Sequence, residues 1–127
     1  MAVDGRPSQV LLVEDEFLLS LMLTEVLEEH GFRVHAVANA KDALRHLTSG
    51  SRCDILLTDI NLPGGLDGAA LAQLARQLRP DLPVVYASGS VQRLDQLIAV
   101  PGAVFVAKPY NPDKLCTMLA QMTHTQH

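Results

Sequence analysis

The strongest constraint on this chain is a change of hydrophobic period that repeats along its length. Short continuous apolar runs alternate with longer runs whose apolar residues recur at helical spacing. Gln9-Val10-Leu11-Leu12-Val13 is the first apolar run, and it stops at Glu14-Asp15-Glu16. Its length suits a strand buried on both faces. From Glu16 to His30 the period becomes helical. Leu19, Met22, Leu23, Val26 and Leu27 are expected on one inward stripe, with Ser20, Thr24, Glu25, Glu28 and Glu29 on the other side. Gly31 is placed to end that helix.

The pattern then recurs. Phe32 to Val37 reads as a second strand, and Asn39 can cap a helix from Ala40 to about Ser49 with Ala43, Leu44 and Leu47 inward. Asp54-Ile55-Leu56-Leu57-Thr58 reads as a third strand ending on Asp59, followed by a loop rich in turn residues, Ile60 to Leu66. Asp67 can cap the next helix, and Pro80 stops it. Pro83 to Ala87 is a fourth strand ending on Ser88-Gly89-Ser90, and Val91 to about Ala99 a short helix. Ala103 to Val106 is a fifth strand ending at Ala107-Lys108-Pro109. Asn111-Pro112 is a helix start, a cap followed by proline at the first helical position, and Leu115, Met118 and Leu119 follow as its apolar face.

Strict strand–helix alternation implies right-handed crossovers and an α/β fold: a doubly wound parallel sheet of five strands covered on both faces. The 127 residues amount to one domain at ~150 residues each. The expectation is therefore a single domain over 1–127, with no output domain. Hydrophobic residues make up 48% and charged residues 19%, too apolar for a disordered chain. Ten basic against fourteen acidic side chains argue against direct nucleic-acid binding. No apolar run approaches ~20 residues, so no membrane span is expected, and a cytoplasmic location is the default. Cys53 and Cys116 show no CxxC spacing and read as free thiols in a reducing compartment.

In an open parallel sheet, ligands bind beyond the carboxyl ends of the strands. Those ends carry Glu14 and Asp15, then Asp59, then Ser88, then Lys108. Three carboxylates that converge need a counter-charge, and a hard divalent cation such as Mg²⁺ prefers oxygen ligands. A carboxylate can also be a nucleophile towards phosphorus. Phosphoryl transfer needs positioning and fixed positive charge, and Lys108 and Ser88 offer an ammonium and a hydroxyl. The Gly64-Gly65-x-x-Gly68 cluster does not read as a phosphate cradle, because it lacks the accompanying lysine and sits beside carboxylates. His30, His35 and His46 lie on different elements and suggest no metal cage.

Taken together, Val10 to Glu16, Leu56-Leu57-Thr58-Asp59-Ile60-Asn61-Leu62-Pro63, Ser88-Gly89 and Lys108-Pro109-Tyr110 resemble the response-regulator receiver domain of two-component signalling. The resemblance runs from about Gln9 to Met122. It implies a (βα)5 flavodoxin-like fold with strand order 2-1-3-4-5. It implies Asp59 as phosphoacceptor, and Glu14, Asp15, Asp59 and the backbone carbonyl of Asn61 as Mg²⁺ ligands. Ser88 becomes the switch hydroxyl, and Lys108 pairs with the phosphoryl group or with Asp59. Phe105 takes the place of the family's rotating aromatic, with core packing as its other reading. The expected partners are a histidine kinase or histidine phosphotransfer protein and an unidentified downstream protein, with room for a homodimer. The expected output surface is the face formed by the Val91–Ala99 helix, the fifth strand and the last helix. Such a domain is a switch with self-catalysed phosphotransfer and autodephosphorylation, the latter tuned by Asn61 and Ser90, rather than an enzyme acting on a separate substrate.

The sequence departs from the family pattern in places. The loop Leu62 to Gly68 is one residue longer than the commonest form, and the stretch before Lys108 is shorter by about two. Tyr86-Ala87-Ser88-Gly89 is similar to the Phe-Ala-Thr-Gly pattern of an alphaproteobacterial receiver subgroup. Two other functions compete. A flavin-phosphate module on the same fold conflicts with Glu14-Asp15-Glu16 after the first strand, which repels phosphate, and with the absence of tryptophan. A degenerate receiver acting only as a protein-interaction scaffold conflicts with the complete set of site residues.

Overall fold

The computed structural model describes residues 7–89, 99–108 and 111–124. Five strands are present: β1 (Gln9–Val13), β2 (Arg33–Val37), β3 (Ile55–Asp59), β4 (Val84–Ser88) and β5 (Val104–Ala107). Among the described residues four helices accompany them: α1 (Phe17–Glu29), α2 (Ala40–Thr48), α3 (Gly68–Leu78) and α4 (Pro112–His124). The strands form one parallel sheet ordered β2-β1-β3-β4-β5, as the resemblance implies. The Val91–Ala99 helix, apart from Ala99, lies outside the described residues, as do Ser90, Pro109-Tyr110 and the tail beyond 124.

Position in the sheet explains the burial of each strand. All five residues of β3 and of β4 are buried, because neighbours cover both faces and both edges. The edge strands β2 and β5 expose about every second residue. Successive residues point to opposite faces, which splits the core in two. Leu11, Val13, Leu56 and Tyr86 pack against α2 and α3 through Ala43, Leu47, Leu71 and Ala75. Val10, Leu12, Ile55, Leu57 and Val85 pack against α1 and α4 through Leu23, Leu27, Leu115, Cys116 and Leu119.

The caps read from sequence are formed. Asn39 Oδ1 accepts from the Asp42 N–H at 2.8 Å, and Asp67 Oδ1 from the Ala70 N–H at 2.9 Å. Asn111 Oδ1 accepts from Asp113 and Lys114 N–H groups at 2.9 and 3.2 Å. The third and fourth strands end on Asp59 and Ser88, as the sequence pattern implies.

One stripe needs correction. On α1 the buried residues are Ser20, Leu23 and Leu27, whereas Met22, expected inward, is exposed. Ser20, Leu23 and Leu27 recur at helical spacing and face the sheet. Phe17, Leu18, Leu21 and Met22 form an apolar surface on the first half of the same helix. The first half of α1 is apolar nearly all round and so offers no period from which to read its inner face.

Candidate functional site

Each strand end delivers its side chain to one edge. The Glu14 N–H donates to Val37 O at 3.0 Å, which continues the sheet one residue past β1 and turns the Glu14 carboxylate into the edge. Asp59 closes β3, and the Ile60 N–H donates to Ala87 O at 3.0 Å. The Lys108 N–H donates to Ser88 O at 2.8 Å, fixing Lys108 just beyond β5. Glu14 is 4% exposed and Asp59 9%, while Asp15 is open to solvent.

Lys108 joins them. Its Nζ donates to Glu14 Oε1 and to Asp59 Oδ2, each at 2.9 Å. Burial alone lowers a lysine, but these two hydrogen bonds and the two negative charges outweigh it and push the Lys108 pKa well above its usual value. The remaining oxygens also have partners. Glu14 Oε2 accepts from the Glu16 N–H at 3.0 Å, and Asp59 Oδ1 from the Asn61 N–H at 3.1 Å. Glu16 is the N-cap of α1 and makes no side-chain cap of its own, so Glu14 serves the helix start as well as the ion pair.

Glu14, Asp15 and Asp59 each offer an oxygen within 4.8 Å of the others. One ammonium against three carboxylates leaves two negative charges. That residue of charge and an all-oxygen donor set fit a hard divalent cation.

The sequence matches the response regulator receiver domain family over residues 10–120. The chain belongs to that family. The receiver is 35% identical over 115 residues to the C4-dicarboxylate transport transcriptional regulatory protein DctD of Rhizobium meliloti, covering 89% of this chain and 24% of DctD. It is 33% identical over 113 residues to the regulatory protein VirG of Agrobacterium tumefaciens, covering 84% of this chain and 40% of VirG. The receiver thus spans well under half the length of these relatives. It superposes on a response regulator receiver protein from Sinorhizobium medicae with a TM-score of 0.87 and 31% identity, covering 95% of this chain and 98% of the other.

The structure places the remaining expected site residues as follows. Ser88 is buried and follows Ala87, which lies in register with Asp59, so it stands at the same edge of the sheet as the carboxylates. Phe105 is not a core residue, contrary to one of its two readings. It is 39% exposed on edge strand β5 and stacks on Tyr86, with ring centroids 5.2 Å apart. Asn61 presents its N–H to Asp59.

Three features of the receiver were not read from sequence. Gly68 sits so close to β3 that a Cβ there would fall on the Asp59 carbonyl oxygen and within 2.9 Å of Ile60 Cα. Its spacing from Asp59 was legible, but the loop path that folds it back was not. Tyr86 is fully buried, and its Oη accepts from the Val100 N–H at 3.2 Å. Burial raises its pKa. Finally, the apolar surface of α1 begins three residues after Glu14, beside the charged edge.

Proposed function

We propose that this receiver accepts a phosphoryl group on Asp59 from a phosphohistidine of a histidine kinase or histidine phosphotransfer protein. The observation that supports this most is the Lys108 ammonium held 2.9 Å from both Asp59 and Glu14, a fixed cation at the one carboxylate that closes the central strand. In the transfer an Asp59 carboxylate oxygen forms the new P–O bond while the P–N bond of the donor breaks. The departing imidazole keeps the electron pair and takes up a proton. Glu14, Asp15, Asp59 and the backbone carbonyl of Asn61 are the groups that would hold Mg²⁺, which when bound supplies positive charge to the phosphoryl oxygens. Lys108 contributes the rest of that charge, and Ser88 supplies a hydroxyl donor to the phosphorylated form.

The exposed apolar face of α1, with Phe17, Leu18, Leu21 and Met22, is the docking surface this reading assigns to the phosphodonor. A donor histidine must approach the carboxyl edge, and α1 is the helix that starts there. Apolar contact gives affinity while Asp59 and Lys108 handle charge. The output reading rests on β4 and β5. Ser88 moving towards a phosphoryl group pulls on the strand that carries Tyr86, and Tyr86 stacks on Phe105. The response is a shift between two pre-existing arrangements of that face, read by a downstream protein.

Incubation with phosphoramidate and Mg²⁺, followed by intact-mass measurement, tests the assignment. One phosphoryl group should appear on the wild type, labile to hydroxylamine, and none on Asp59→Asn. Labelling that persists in Asp59→Asn refutes the site. No labelling of a folded wild type favours the interaction-scaffold alternative.

A further inference from the structure

Away from the carboxyl edge, the fold brings two histidines together. His35 lies on edge strand β2, in register with Leu11, and its side chain is on the α2–α3 face of the sheet. His46 lies on α2. Their rings stack with centroids 4.0 Å apart and planes within 13° of each other. With Asp42, Arg45 and Ser49 they line a cleft of about 540 Å³ between the strand and the helix. β2 is an edge strand, and this stack adds to the packing that Val37 of β2 makes against the α2 side of the core.

The surrounding charges are unbalanced. On α2, Asp42 and Arg45 are 3.6 Å apart and largely cancel. From the end of α3, the Arg79 guanidinium donates to Leu47 O and Ser51 O at 3.1 and 2.6 Å, which anchors a positive charge near His46. Arg33 shares the face of His35 two residues earlier on β2. β1 contributes Gln9, Leu11 and Val13 to this face, none of them charged. Burial, the neighbouring His35 ring and Arg79 together hold His46 below its usual pKa.

We propose that the His35–His46 stack is a pH-sensitive latch between β2 and α2, closed while at most one ring is protonated and pushed open when both are. Two imidazolium rings 4.0 Å apart, beside Arg79, place like charges in contact, and the carboxylate that lines their cleft, Asp42, is shared with Arg45 and Asn39. The sign follows from linkage. His46 binds its proton less readily in the closed form than in the opened or unfolded one. The contact is therefore fully held above the ordinary value of 6.5 and is lost as pH falls through the lowered one. The latch is distinct from the phosphoryl site and does not rest on that reading.

The test is an NMR titration of the full chain from about pH 8 to pH 5, following imidazole and backbone resonances. In the wild type, His46 should titrate below 6.5, and α2 and β2 amides should shift with it. His35→Phe keeps an aromatic ring in the stack and removes its charge. In that variant His46 should titrate higher, and the coupled amide shifts should shrink. His35→Gln removes the ring as well and should also raise His46. The proposal is overturned if His46 titrates identically in wild type and both variants, or if α2 and β2 amides stay still through its titration.

Discussion

The interior of the sheet and its carboxyl edge are made by the same five strands but obey opposite rules. In the interior, Leu56, Leu57, Val84 and Val85 are wholly buried among apolar neighbours, and each contact favours the folded state. One residue further along, Glu14, Asp59 and Lys108 are drawn into the same low-exposure surroundings, where each charge costs free energy unless it is partnered. The interior is built for stability, whereas the edge stores charge that the interior has to carry. A protein accepts such a cost where the charge is used, and this supports the proposal that the edge is the functional end.

The largest effect expected from breaking this contrast lies in the interior. Leu57→Ala should cost about 3 kcal/mol in a denaturant titration, because it opens a cavity between β3 and the α1–α4 layer. Gly68→Ala comes next. The added methyl meets the backbone of Asp59, so β3 or α3 must shift, and a loss of about 2 kcal/mol is expected together with weakened divalent binding. At the edge itself, two substitutions should differ in sign. Lys108→Met leaves three carboxylates without their ammonium and should destabilise by about 1–2 kcal/mol. Asp59→Asn removes one of the like charges while Lys108 keeps Glu14, so stability should hold or rise. Equal losses in these two variants would show that the edge is ordinary packing.

Smaller effects sharpen the comparison. Tyr86→Phe removes the hydrogen bond to Val100 and should cost about 1 kcal/mol. Faster exchange of the Val100 amide should accompany that loss. At the opposite, amino end of β3, burial outweighs the nearby Arg79 and raises the Cys53 thiol to about 11. An unfolded thiol ionises near 9.0, so the folded chain holds the proton longer and loses stability as pH rises from 9 towards 11. Cys53→Ala should flatten that slope in urea midpoints measured across the same range.

Sequence legibility follows the same division. The strands were legible because a buried strand reads as an unbroken apolar run, and each run stops on the residue that supplies the site. Glu14, Asp59, Ser88 and Lys108 could therefore be placed at one edge before any coordinates. The bidentate role of Glu14, holding both Lys108 and the Glu16 N–H, depends on side-chain reach across the edge and leaves no local signal. Met22 and Ser20 on α1 were misread because apolar residues occupy both its sheet side and its solvent side. His35 and His46 were read as unrelated because their meeting depends on how α2 crosses over the edge strand. Phe105 has no sequence signal for exposure, since its surroundings are set by its place on an edge strand.

The most direct test of the account is a set of amide spectra recorded with Mg²⁺ alone and with Mg²⁺ plus beryllofluoride as a phosphoryl mimic. If the carboxyl edge is one coupled switch, Mg²⁺ should perturb Asp15 and Asp59. The mimic should then extend the changes to Ser88, Tyr86 and Phe105. Spectra that fail to respond to either addition would contradict it.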